Sequence, residues 1–157
     1  MPDRVYWDAC VFLDYLNETP ERIDVIDELL AMSKAGNIQI YTATVSIVEV
    51  AFASVERGQP LDAAAEGRID SFWADRDAIQ LIDVHTLIER EARALIRVGL
   101  PTGWTGLGAM DAIHLAAAKS LNLPEFHTYD VARLQRYEAI TGMRIIEPYL
   151  AQQRLPF

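Results

Sequence analysis

The chain has 157 residues, 51% hydrophobic and 24% charged, with a formal net charge of −9. That is enough apolar material for one domain with a full core and too little for two, so a single domain over residues 1–157 is expected. The acidity excludes a general nucleic-acid-coating surface, because phosphate binding needs clustered Lys and Arg; any nucleic acid must meet a local basic patch or a metal.

The opening MPDRVYWD lacks the basic-then-apolar order of a signal peptide, and no run of 18 or more apolar residues occurs. A soluble, cytoplasmic protein with no membrane span is expected. Cys10 is the only cysteine, which precludes an internal disulfide, and it reads as a small buried hydrophobe.

Residues 4–7 (RVYW) form a short apolar strand, followed by one or two helices through VFLDYLN and PERIDVIDELLAMSKAG, with Pro20 at a helix start and Gly36 as a stop. Ile23, Ile26, Leu29, Leu30 and Met32 keep an apolar face there at helical spacing. A strand over 38–43 leads into a helix over VSIVEVAFASVERG, and after QPLDAAAEG a further helix runs through RIDSFWAD. A third strand at 79–84 precedes the well-patterned helix TLIEREARALIRVG, closed by Gly99. The glycine-rich LPTGWTGLG, a loop carrying Trp104, opens onto the alanine-rich helix AMDAIHLAAAKSLNL. The chain ends with EFHTY, a short helix over VARLQRYEA and a strand in MRIIEP. Such alternation implies a parallel sheet covered by helices on both faces.

Ligands of open α/β sheets bind beyond the carboxyl ends of the strands. Four acids fall there: Asp8 after the first strand, Glu49 shortly after the second, Asp111 opening the alanine-rich helix and Asp130 after FHTY. Each also lies near a helix start, and local capping competes with a shared site. Ser46 and Glu49 have capping-box spacing, and Asp111 and Asp130 could cap the helices they precede, at about 1 kcal/mol apiece. If the acids converge, two carboxylates about 5 Å apart repel by roughly 3 kcal/mol at an effective dielectric near 20. A cluster then needs a cation or raised pKa values, and oxygen ligands favour Mg²⁺ or Mn²⁺.

The segments VYWDACVFLDYL, TVSIVEVAFA, MDAIHLAAA and HTYD resemble, in order and spacing, the four acidic motifs of the PIN domain family, DAIHLAAA being the most specific. The resemblance covers most of the chain. It implies a three-layer α/β/α sandwich with a central, mainly parallel sheet. It also implies a Mg²⁺- or Mn²⁺-dependent endoribonuclease in which Asp8, Glu49, Asp111 and Asp130 hold the metal and act in catalysis. More specifically it implies the VapC-like toxin branch, with an RNA substrate, a homodimer and a cognate antitoxin protein. Two departures stand out. Cys10 replaces the serine or threonine that many members carry two residues after the first Asp, and the segment GLPTGWTGLGAM before Asp111 is long for the family.

Other residues carry weaker signals. Arg93 and Arg97, with Arg90, recur at helical spacing and are candidate RNA-binding residues, although Glu89 and Glu91 dilute that field. His114 lies one turn beyond Asp111 and shares its face, though a satisfied, partly buried histidine is the simpler role. Asp14 is a candidate outer-shell acid or a solvated one, and Phe52 and Phe72 read as core, with Trp73 nearby. A catalytically silent PIN-fold binding module is the alternative. A receiver or dehalogenase-like phosphatase fits less well, because DAC lacks a second Asp two residues on and no lysine ends the last strand.

Overall fold

The computed structural model describes residues 1–103 and 106–151; Trp104 of the glycine-rich loop lies outside the described residues. Five strands, β1 (Asp3–Trp7), β2 (Ile38–Ala43), β3 (Ile79–Ile82), β4 (Glu125–His127) and β5 (Arg144–Ile146), form one parallel sheet in the order β3-β2-β1-β4-β5. Parallel neighbours need crossovers, and helices supply them. These are α1 (Ala9–Leu16), α2 (Ile23–Lys34), α3 (Ser46–Glu49), α4 (Ala63–Ala74), α5 (Thr86–Gly99), α6 (Ala109–Ser120), α7 (Val131–Leu134) and α8 (Glu138–Thr141). No helix among the described residues is long and apolar enough to cross a membrane.

The strand period of two divides the core. Val5 and Trp7 of β1 face Phe12, Ile26, Leu29 and Phe72 of α1, α2 and α4. Between them Tyr6 points to the opposite face, into Ala92 and Leu95 of α5, Leu115 and Ala116 of α6, and Phe126. The result is the expected α/β/α sandwich, with a sheet that is parallel throughout. Central β1 pairs Val5 with Ile40 on one side and with Glu125 on the other, so the carboxyl ends of β1, β2 and β4 reach one edge together.

The structure corrects the expected long helix over 45–58. Only Ser46–Glu49 is α-helical, with a 3-10 turn at Ser54–Glu56; the chain leaves the α-helix at Val50 (φ −94°, ψ 57°). A competing set of bonds holds the following loop. The buried Glu56 carboxylate accepts the backbone N–H groups of Ala53 and Asp62 at 2.9 and 2.8 Å, and Asn17 Oδ1 accepts that of Ser54. Phe52 is consequently exposed, with Arg57 over its ring, rather than core; Phe72 is buried and Trp73 half-buried. Farther on, α4 starts earlier than the sequence suggests, because Asp62 accepts the Ala64 N–H and caps the alanine run. Pro20 lies upstream of α2 instead of at its first turn, and Gly36, at φ +80°, ends that helix as expected.

Candidate metal and catalytic site

Asp8 leaves β1 at the edge and caps α1. Its Oδ1 accepts the Ala9 N–H at 2.7 Å, and its Oδ2 accepts the Thr128 hydroxyl at 3.0 Å. Asp8 is therefore the one acid of the four that caps through its side chain. Thr128, from the segment after β4, supplies a hydroxyl at a position where Cys10 has none to give, and it also accepts the Asp130 N–H at 3.0 Å. The Cys10 thiol sits 3.4 Å from that hydroxyl, and burial followed by the charge of Asp8 pushes its pKa up to about 12. It stays protonated and unreactive.

Glu49 ends the one-turn α3, whose position is fixed by hydroxyls. Thr42 donates to the Trp7 carbonyl at 2.8 Å, which leaves Ser46 as the donor to Thr42 at 2.7 Å. Ser46 thus ties α3 to the sheet edge and forms no capping box with Glu49.

Between Glu49 and Asp8 stands His114, fully buried, with Nε2 3.0 Å from Glu49 Oε1 and 3.7 Å from Asp8 Oδ1. Its Nδ1 lies 2.6 Å from the Tyr6 hydroxyl, which accepts the Ala43 N–H at 2.9 Å. For the neutral imidazole one arrangement satisfies every group: Tyr6 donates to Nδ1, and the Nε2–H donates to Glu49. Burial, the largest influence, opposes the imidazolium, but the Glu49 bond and the charges of Asp8, Glu49 and Asp111 outweigh it, so His114 holds its second proton more tightly than usual. Burial also raises the Tyr6 and Asp8 pKa values, and for Asp8 the neighbouring imidazole and the Thr128 bond only partly offset it. Replacing Tyr6 by Phe strips the Ala43 N–H of its acceptor and His114 of its donor. A loss of about 1–3 kcal/mol in denaturant unfolding is expected; an unchanged midpoint would show that the hydroxyl is not part of this network.

Asp111, in the first turn of α6, is near enough to Asp8 for its charge to raise the Asp8 pKa. It does not cap α6, whose N-cap is Gly108, and Asp130 at the N-cap of α7 makes no capping bond. Both carboxylates instead bind Arg133: Nη1 donates to Asp111 Oδ2, and Nε donates to Asp130 Oδ2 at 2.7 Å. Asp8 and Glu49 thus converge on His114, Asp111 is close enough for its charge to act on Asp8 and His114, and Asp130 joins Asp111 through an arginine.

Asp14 is paired instead of solvated: it binds Arg22 at 2.8 Å and accepts the Thr19 hydroxyl, and its charge reaches Cys10 beside Asp8. Arg93 and Arg97 are exposed on α5. Sequence reasoning missed Arg133 and Thr128 as members of the site. The spacing of three between Asp130 and Arg133 was the only local signal for the former; Thr128 gave none.

Two carboxylates and an imidazole form a donor set that fits a divalent cation. Asp8, Glu49 and His114 offer ligand atoms that all lie within 4.8 Å of one another. Two carboxylates partly withdrawn from water stand against a single imidazole, which leaves negative charge for a cation to offset.

A model of the PIN domain family matches residues 5–139. Among solved structures, the chain is similar to VapBC2 from Rickettsia felis bound to a DNA fragment of its promoter (TM-score 0.65, 13% identity, covering 90% of this chain and 96% of that one). It is likewise similar to DNA-bound VapBC from Salmonella typhimurium (TM-score 0.63, 19% identity, 95% and 100% covered). VapBC-1 from nontypeable Haemophilus influenzae is a third (TM-score 0.62, 15% identity, 92% and 97% covered). At these identities the likeness is one of fold. No curated protein matches the sequence.

Proposed function

The chain belongs to the PIN domain family, and from that premise we propose that it is a metal-dependent endoribonuclease, a single domain over residues 1–157 that hydrolyses RNA phosphodiester bonds in the cytoplasm. The observation that carries this reading is the convergence of Asp8 and Glu49 on one buried imidazole at the carboxyl edge of the sheet. Asp8, Glu49 and Asp111 are the residues that would hold Mg²⁺ or Mn²⁺, and Asp130 orients the attacking water. A bound dication supplies an acidified water and positive charge against the nonbridging phosphate oxygens. The protein's own part is orientation. Thr128 and the Ala9 N–H fix the two oxygens of Asp8, while Tyr6 and His114 fix Glu49. Exposed Arg93 and Arg97 give the RNA backbone local positive charge on an otherwise acidic protein.

The structural neighbours described as VapBC support a role as the toxin of a toxin-antitoxin pair, with a homodimer and a cognate antitoxin as partners. Incubation with single-stranded RNA should give cleavage in Mg²⁺ or Mn²⁺ and none with excess chelator. Cleavage that persists in chelator would remove the metal from the mechanism. A protein that binds the ion and cuts no RNA would be the silent binding module instead.

A further inference from the structure

Two basic side chains stand among the acids, His114 against Asp8 and Glu49 and Arg133 against Asp111 and Asp130, and the permanently charged Arg133 bears on how many cations the site holds. Its Nε and Nη2 lie 2.7 and 2.5 Å from Asp130 Oδ2, and its Nη1 bonds Asp111 Oδ2 and reaches the Gly106 carbonyl at 3.4 Å. A forked guanidinium thus spans two carboxylates from different segments, with the side-chain specificity expected of charge-assisted bonds. Asp111 and Asp130 are the two acids of the four that share Arg133 as a partner. A dication on these two would lie against a fixed positive charge and compete for the same oxygens. The carboxylates on the other side of the site, Asp8 and Glu49, face His114 and, among the described residues, make no contact with any arginine.

We infer that Arg133 is the resident second cation of this site, so that the centre takes one dication, on the side of Asp8 and Glu49, and uses the guanidinium in place of a second. This rests on the metal-dependent reading above and deepens it. It assigns Asp130 to holding Arg133 instead of an ion, and it puts a permanent positive charge between Asp111 and Asp130.

The experiment is a titration of the full chain with Mn²⁺ alone, without RNA, followed by calorimetry and by electron paramagnetic resonance. Wild-type protein should bind one Mn²⁺ with the spectrum of an isolated ion. Arg133→Gln, which removes the charge and keeps a similar side-chain stem, should take up two and show spin coupling between them. Arg133→Lys, which keeps the charge, should remain at one; two ions in this variant would show that charge is not what excludes the second, and would overturn the inference. Two ions in the wild type would overturn it without any variant, and so would one ion in both the wild type and Arg133→Gln; in these cases the proposed nuclease centre survives. No Mn²⁺ bound by any of the three would overturn the inference and the metal-dependent reading together.

Discussion

Asp8→Asn is expected to lower metal-dependent RNA cleavage by about a thousandfold while leaving the protein folded. Asp8 is a buried acid with one oxygen on the Ala9 N–H and the other on the Thr128 hydroxyl, 3.7 Å from His114. A metal's contribution to a phosphoryl-transfer transition state is several kcal/mol, and about 4 kcal/mol corresponds to about a thousandfold in rate. Asparagine keeps the shape and still caps a helix well, so α1 should survive. It loses the charge, and its amide group faces the Thr128 hydroxyl where a lone pair stood. The check is RNA cleavage at saturating Mg²⁺ and Mn²⁺ beside a thermal melt. Activity within threefold of wild type, with an unchanged melt, would mean that Asp8 holds no catalytic metal.

The largest stability effect is expected at Phe12. Its ring is fully buried and meets Trp7 at 5.4 Å, Phe72 at 5.4 Å and Trp73 at 5.3 Å between centroids, two of these pairs being edge-to-face. The cluster joins β1, α1 and α4, so it holds the helix that Asp8 caps against the sheet. Phe12→Ala should cost about 3–5 kcal/mol, the usual range for deleting a buried aromatic ring. In a chain of this length that lowers the melting temperature by roughly 6–20 °C. Chemical denaturation gives the free energy directly; a loss under about 1 kcal/mol would show that α1 is anchored elsewhere. Cleavage should fall along with stability, and substrate binding through Arg93 and Arg97 should change less, since α5 packs on the opposite face.

The two substitutions separate what the acids do from what holds them in place. Asp8→Asn removes a charge and leaves the scaffold. Phe12→Ala loosens the scaffold and leaves every carboxylate. If both abolish cleavage, the melts show which loss is chemical.

The sequence by itself was sufficient for the order of strands and helices, because apolar spacing, Gly36 and the alanine-rich stretch around Asp111 are local signals. It also marked Asp8, Glu49, Asp111 and Asp130 as edge residues, through the strand-to-helix transitions they occupy. It misread 45–58, where apolar spacing suggested a continuous helix. Glu56 and Asn17 there bind loop N–H groups from positions that no local pattern predicts, and Phe52 is turned outward. Long-range partners were invisible for the same reason: Thr128 reaches Asp8 across 120 positions, and His114 reaches Tyr6 across 108. Tertiary structure alone decided that Asp8 and Glu49 converge on a histidine and that Asp111 and Asp130 share Arg133. Local periodicity specifies which way a side chain faces on its own element. Which side chains then meet depends on strand order and register, and in this sheet those placed β1 between β2 and β4 and brought their carboxyl ends to one edge.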